Sequence, residues 1–457
     1  MSDNVFILSA DSLRLDRTGD DQLMPFLVER GDASTRFTNA VANGPFTPAS
    51  FPAMLASRYA SSIDGIGLPA EGGVATLAEQ LAAEQYETAF WSDNKFVGEE
   101  YNYDRGYDVS AGYETGLRDT VREHIDEDGL LFSVLEFGYM RLWKSLKNTT
   151  GDSHYYATAA ELNETARNWL AEKDPDTDSV HVWCHYMDTH HPYEPAEEWM
   201  PYDELEVIET RTQANNTTRR AVQSDGTEAT PAELRDVERL YDAECRSLDA
   251  QLRQFVTWLE DEGWLQEDDL LVVTSDHGEV FSGTEQWSVL GHENVFTEEC
   301  TRVPLLIDHA GLDPHDVSKQ CSLIDLLPTI LELLGVETPD PLTMGDPLQP
   351  LVSEESADRE HVFYDGTLEY NGIRTTDGRK VFNCETEGEA TYLETTYTSE
   401  PVAYDEEPVR DGDPDETLLA ALRDHESRCE TLAEESQGID PESLQVEQHM
   451  RDLGYLE

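Results

Sequence analysis

The chain has 457 residues, of which 38% are hydrophobic and 9% aromatic, and its 96 acidic against 31 basic residues give a formal net charge of −65. That hydrophobic share supplies a core and excludes wholesale disorder, and the length suits one large α/β domain with a small appendage or two domains. The charge excludes nucleic acid as a partner, because phosphate binding needs a basic stripe that this sequence lacks.

Acid is spread along the whole chain and only six residues are lysine (Lys95, Lys144, Lys147, Lys173, Lys319 and Lys380), a pattern that points to adaptation to molar salt. Six cysteines lie far apart without a CxxC pair, which reads as buried thiols in a reducing compartment. The start, MSDNVFILSAD, has no basic n-region, and no segment reaches the roughly 18 apolar residues a membrane span needs. A cytoplasmic protein with no membrane span is the expectation; the oligomeric state is not legible.

In chain order, NVFILSAD (4–11) reads as a buried strand, TLAEQLAAEQY (76–86) as a helix and ETAFWSD (87–93) as the strand after it. Residues 114–160 read as an insertion around LLFSVLEFGYMRLWKSLK (130–147), a lid or core helix, with a membrane-surface or partner-binding helix as the alternative. The helix 161–173 leads into the strand VHVWCHYMD (180–188), and a long charged helix at about 232–261 precedes LLVVTSD. RVPLLIDH (302–309) is a further strand, and IDLLPTILELLG (324–335) a helix with Pro328 near its first turn.

Helices alternating with apolar strands predict an α/β fold with a mostly parallel central sheet covered on both faces. From about 360, HVFYDG and GIRTTDGRKVFNCE predict short antiparallel strands with a hairpin at Asp377-Gly378. After about 385 the chain reads as an acidic surface ending in a helix at 415–435. The expected division is a catalytic-type domain over 1–350 and a small C-terminal subdomain over 351–457.

Ligands of such sheets bind at the carboxyl ends of the strands, where Asp11, Asp93, Asp188 and Asp276 all fall. Asp11 with Asp276-His277 offers two carboxylates and an imidazole, which suit Mg²⁺, Ca²⁺, Mn²⁺ or Zn²⁺; a DHG triplet alone is a weak signal. In NGPFTPASFPAMLASRY (43–59), Thr47 before Pro48 reads either as a plain helix cap or as a hydroxyl facing unpaired N–H groups that favour an anionic ester. Ser50 is the competing hydroxyl.

The stretches NVFILSADSLRLD, FTPASFPAMLASRY, TLAEQLAAEQYETAFWSDN, HYMDTHHPY, SDHGE, GHENVFTEECTRVPLLI and SLIDLLPTILELLG occur in this order. Together they resemble the sulfatase family of the alkaline phosphatase superfamily over about 1–110 and 180–340. The stretch GIRTTDGRKVF is similar to that family's C-terminal strands.

The resemblance implies Asp11, Asp276 and His277 as ligands of a divalent cation, Ca²⁺ or Mg²⁺ first and Mn²⁺ or Zn²⁺ as alternatives. It places Thr47 at the nucleophile position. His190 of DTHHPY and His292 of LGHEN match histidines that bind the ester oxygens or protonate the leaving group, with His191 as a substitute for His190.

Three departures stand out. Ser12 replaces the usual second aspartate. The C-x-[PA]-x-R motif, whose cysteine becomes formylglycine, is missing, and Phe51 replaces its arginine. No lysine occupies the usual sulfate-binding positions, although Lys95 follows Asn94. A threonine sulfate cannot eliminate to an aldehyde as a formylglycine hydrate can, so phosphate chemistry stays open.

The expected function is metal-dependent hydrolysis of a sulfate ester, or a related phosphate ester, on a small-molecule or glycan substrate. The alternatives are a phosphodiester or phosphonate hydrolase, a phosphotransferase acting on a glycan or lipid, and a non-catalytic relative that binds anionic glycans.

Overall fold

The computed structural model describes residues 3–70, 74–111, 155–281, 290–292, 296–338, 343–352, 359–366, 370–386, 389–397, 406–408, 414–441, 443 and 446. The expected insertion helix at 130–147 lies outside them. The strands up to residue 322 are β1 (Val5–Ala10), β2 (Thr35–Phe37), β3 (Ala40–Val41), β4 (Glu87–Ser92), β5 (Val109–Ala111) and β6 (Val180–Tyr186). They continue with β7 (Leu270–Ser275), β8 (Arg302–Val303), β9 (Leu305–Asp308), β10 (His315–Val317) and β11 (Cys321–Ser322).

Eight of them form one sheet in the order β10-β2-β9-β7-β1-β6-β4-β5. β1 lies at its centre, paired in parallel with β6 and β7, and β4 and β5 extend the parallel run. Only β9 opposes its neighbours β7 and β2. The sheet is thus mostly parallel, as expected. The expected strand at 302–309 is two strands, because Pro304 divides it and β8 joins β3 and β11 in a separate three-stranded sheet.

Alternation along β1 sends its side chains into two cores. Phe6, Leu8 and Ala10 pack with the helices Ala159–Leu170 and Pro231–Asp261, while Val5 and Ile7 pack with the helices Thr47–Ala56, Leu77–Ala83 and Leu326–Leu333. Full burial of residues such as Phe6 and Leu8 contributes about 1.5–3 kcal/mol each. Three of these helices begin on the same T-x-x-E signal. Thr76 with Glu79, Thr158 with Glu161 and Thr230 with Glu233 form reciprocal capping boxes that satisfy N-terminal N–H groups.

The C-terminal strands β12 (His361–Asp365), β13 (Asn371–Thr375), β14 (Arg379–Thr386), β15 (Glu389–Tyr397) and β16 (Glu406–Pro408) form an antiparallel meander. Gly378, at φ 89°, makes the turn expected between β13 and β14. The reading of 386 onward as acidic surface is corrected: TYLETTY is rich in β-branched and aromatic residues and adds β15, which pairs with β14 over eight positions. The expected terminal helix is Glu416–Ala433. Buried Glu298 ties the meander to the main body, bonding Arg374 at 2.9 Å and Lys380 at 2.6 Å.

Candidate active site

Register builds the site. Ala10 of β1 lies opposite Tyr186 of β6 and Ser275 of β7, so Asp11 and Asp276 leave adjacent strand ends together. By alternation Asp11, Asp276 and His185 point to the face covered by the helix Thr47–Ala56, because Ile7, Val272 and Trp183 are core on that face. Ser12 follows Asp11 at φ 63°, a turn that brings its N–H to 3.3 Å from Asp276 Oδ1, and its hydroxyl donates to Asp11 Oδ1 at 3.0 Å. The residue standing where a second aspartate was expected thus orients the first.

Four acid and imidazole groups converge here, all buried. His185 Nε2 lies 3.4 Å from Asp11 Oδ2 and 3.9 Å from Asp276 Oδ2, and His277 Nε2 lies 3.4 Å from both Asp11 Oδ1 and Asp276 Oδ2. Asp276 Oδ2, His185 Nε2 and His277 Nε2 have no hydrogen-bond partner. Buried polar atoms are normally satisfied, so three orphans aimed at one carboxylate fit a divalent cation. His277 Nδ1 donates to the Gly278 carbonyl at 2.9 Å, which leaves the lone pair of the neutral ring on Nε2, facing the carboxylates.

The electrostatics agree. Burial would raise Asp11, but the neighbouring imidazoles of His190, His185 and His277 hold it well below the usual carboxylate range. Burial, and then the charge of Asp11, hold Asp276 well above that range. Two carboxylates this close resist full ionisation until a cation joins them.

Thr47 does not cap its helix. The N-cap is Phe46, and Thr47 opens the helix with Pro48 behind it. Its hydroxyl donates to Asp11 Oδ2 at 3.0 Å and accepts from Asn94 Nδ2 at 3.2 Å, while Asn94 also donates to Asp11 Oδ2 at 2.8 Å. Ser50, one turn on, donates instead to the backbone carbonyl of Asp276 at 2.6 Å. Phe51, standing where arginine was expected, packs its ring edge-on against His185 at 4.7 Å.

His190, His191 and His292 form a second cluster beside the first. Their rings lie 4.3–5.6 Å apart, and His292 is 4.4 Å from the His277 ring. Burial holds all three below the ordinary histidine range; mutual repulsion adds to this for His191, and His277 and His190 push His292 further down. Glu279 orients His292, with Oε1 at 3.0 Å from Nδ1, and Tyr193 donates to its other oxygen at 2.7 Å. Burial pushes Glu279 up to about 7 despite that hydrogen bond.

The structure therefore gathers Asp11, Thr47, His190, Asp276, His277 and His292 in one place, and it adds residues that sequence reasoning missed. Asn94 and Glu279 stood within quoted motifs without a role. His185 had no usable signal: His181, four residues earlier on the same strand face, is equally buried but bonds the Val5 carbonyl and the Tyr107 hydroxyl.

Two of the four strand-end aspartates have another role. Asp93 accepts from the Ala157 N–H and Asp188 from the Ala159 N–H, so both fasten the start of a helix. Lys95 is exposed. A cavity of about 520 Å³ opens from His190, lined among others by Tyr155, Tyr156, Asp188 and Trp199.

Comparison with known proteins agrees with this geometry. The profile of the family described as Sulfatase matches residues 3–336. Over 128 residues the chain is 35% identical to arylsulfatase K of Xenopus laevis, covering 28% of this chain and 23% of that relative. Human arylsulfatase K is 32% identical over 126 residues, covering 27% and 22%. The aligned stretch thus spans less than a quarter of these relatives.

Among solved structures, BT4656 in complex with its substrate D-glucosamine-2-N,6-O-disulfate superposes with a TM-score of 0.66 at 14% identity, covering 95% of this chain and 99% of that one. The phosphonate monoester hydrolase of Agrobacterium radiobacter gives 0.62 at 16%, covering 95% and 96%. At such identities the likeness speaks for the fold. With the family profile running through β1, the buried carboxylates and the histidine cluster, the chain belongs to the sulfatase family.

Proposed function

We propose that this protein hydrolyses a sulfate ester, or a related phosphate ester, of a small molecule or glycan, with Thr47 as nucleophile. The observation that carries the reading is the Thr47 hydroxyl, held by Asn94 and donating to Asp11 beside the orphaned atoms of Asp276, His185 and His277. Asp11, Asp276, His277 and His185 would hold a divalent cation, whose charge would stabilise the ester's non-bridging oxygens and lower the pKa of the hydroxyl. Two imidazoles beside two carboxylates move the preference from Ca²⁺ or Mg²⁺ toward Mn²⁺ or Zn²⁺.

Thr47 attacks in line, its proton leaving along the hydrogen bond to Asp11 as the new ester bond forms. His190 and His292 serve the departing oxygen, and the cavity next to His190 has room for a sugar-sized leaving group. The Thr47 ester has no geminal hydroxyl through which to eliminate. Water, or an acceptor hydroxyl, attacks the esterified centre, and Thr47 regains its proton as the ester bond breaks.

A phosphate or phosphonate ester is the second reading, favoured by the threonine nucleophile. The orphaned cluster argues against a merely glycan-binding relative. A cytoplasmic location is part of the proposal, supported by five buried free cysteines among the described residues. No helix among those residues is long and apolar enough to cross a membrane. The boundary near 350 is proposed on the change from the central sheet to the β12–β16 meander.

A screen of aryl sulfates, phosphates and phosphonates in high salt with added Mn²⁺, Zn²⁺, Ca²⁺ or Mg²⁺ tests the reading. Metal-dependent turnover of a sulfate or phosphate ester is expected. Metal binding without turnover of any ester class would leave the binding-protein alternative.

A further inference from the structure

We propose that the cavity beside His190 selects esters whose departing alcohol or phenol carries an organic ammonium group, and that Glu244 sets this choice. Such selectivity deepens the ester-hydrolase reading and rests on it. His190 stands in the wall of this cavity of about 520 Å³, so a group leaving the ester beside that imidazole enters it. Its aromatic surfaces are Tyr155, Tyr156 and Trp199, and among the described residues no lysine or arginine lines it, only carboxylates.

Exposed acid is common in this chain, and Glu197 and Glu198 in the lining fit that pattern. Glu244 does not, being only 7% exposed. One of its oxygens accepts from the Glu194 N–H at 2.9 Å, and the other has no hydrogen-bond or ion-pair partner among the described residues. Asp188, also in the wall, is bonded by the Ala159 N–H at 3.2 and 2.9 Å to its two oxygens. The arginine nearby, Arg211, stands 3.8 Å from Glu194 instead. Burial pushes Asp188 up to about 7, and burial, then the charge of Asp188, holds Glu244 well above the usual carboxylate range. Carboxylates buried without a cation are costly to ionise, and an ammonium beside them favours their charged forms.

The aromatic walls suit the same ligand. An ammonium is attracted to aromatic faces as well as to carboxylates, the more strongly where water is excluded. Tyr156 stands edge-on to His190 with ring centroids 5.5 Å apart, and its buried hydroxyl has no hydrogen-bond partner among the described residues. Buried polar atoms are normally satisfied, and a ligand oxygen would satisfy this one. A leaving group with its own carboxylate would meet like charge here and is rejected.

Three esters of similar shape test this: those of tyramine, para-ethylphenol and para-hydroxyphenylpropionate, made as sulfates and as phosphates. The full-length protein, in high salt with added metal, should favour the tyramine ester over the ethylphenol ester by about 10-fold in kcat/KM, with the propionate ester slowest. Glu244→Gln keeps an acceptor for the Glu194 N–H, and in it that ratio should fall to about 3-fold or less. A parent ratio near one overturns the proposal and leaves the ester chemistry standing, as does an unchanged ratio in folded Glu244→Gln. Where no ester is turned over, calorimetry with free tyramine against para-ethylphenol decides. Tighter tyramine binding then supports the ammonium cavity and sinks the ester reading, and equal binding overturns both.

Discussion

Thr47 Oγ1 lies 3.0 Å from Asp11 Oδ2, although the two residues stand 36 positions apart and belong to a helix and to the central strand. The contact exists because the helix packs Phe51, Met54 and Leu55 on the same sheet face that presents Asp11. Ser50 shares that helix but spends its hydroxyl on the Asp276 carbonyl.

The two hydroxyls should therefore behave differently. Thr47→Ala is expected to lower kcat by at least about 10³-fold and to remove any covalent adduct. Ser50→Ala leaves a buried carbonyl without its donor, so it should cost about 1–3 kcal/mol of stability while the adduct still forms. Peptide mapping of enzyme quenched during turnover locates the modified residue; an adduct on Ser50 would reverse the assignment.

Asp276 repels Asp11 whenever both are ionised without a cation. Its pKa is raised in the fold, so the folded state holds a proton more tightly than the unfolded chain, and metal-free stability falls as pH rises above the usual carboxylate value of 3.8. Asp276→Asn should raise the melting temperature of chelator-treated protein at neutral pH by a few degrees, roughly what 1 kcal/mol provides. The same variant should lose the stabilisation that added metal gives the parent. Calorimetry with and without chelator reads both; an apo melt lowered by the substitution contradicts the repulsion.

His185→Ala removes one of the two imidazoles that face the two carboxylates. Metal affinity should drop about 10–100-fold, the scale seen when groups supporting a metal site are lost. His181→Ala, from the same strand face, should leave affinity alone. Competition with a chelator of known affinity separates the two, and equal effects would reduce His185 to a packing residue.

Glu298 joins the C-terminal meander to the main body. Burial would raise its pKa, but the charges of Arg374 and Lys380 hold it at about 2. A depressed carboxylate stabilises the fold above its unfolded value of 4.5, and that contribution disappears as pH falls toward about 2. Glu298→Gln should be less stable than the parent by about 3–5 kcal/mol at neutral pH, and the gap should close over that acid window. Denaturant melts across pH check this; a constant gap would mean packing rather than charge.

A net charge of −65 repels itself when unscreened, because the Debye length grows from about 3 Å at 1 M salt to about 10 Å at 0.1 M. The protein should need roughly molar salt to fold. Circular dichroism in dilute buffer is the measurement, and an unchanged cooperative melt there would assign the acidity another purpose.

Much of this was legible in the sequence for local reasons. Apolar runs ending in Asp11 and Asp276 mark buried parallel strands with their carboxyl ends, and T-x-x-E pairs mark helix starts; both signals live within a dozen residues. Strand ends alone could not separate Asp11 and Asp276 from Asp93 and Asp188, which fasten helix starts instead. Nor could pattern separate His185 from His181, or Thr47 from Ser50, since each pair shares its element and its burial. β15 was missed because its acidic neighbours masked a strand that pairing with β14 and β16 stabilises. Those distinctions were decided by register and by packing across the sheet: what a side chain does depends on which atoms from distant strands and helices stand within about 3–4 Å of it, and no stretch of sequence carries that information by itself.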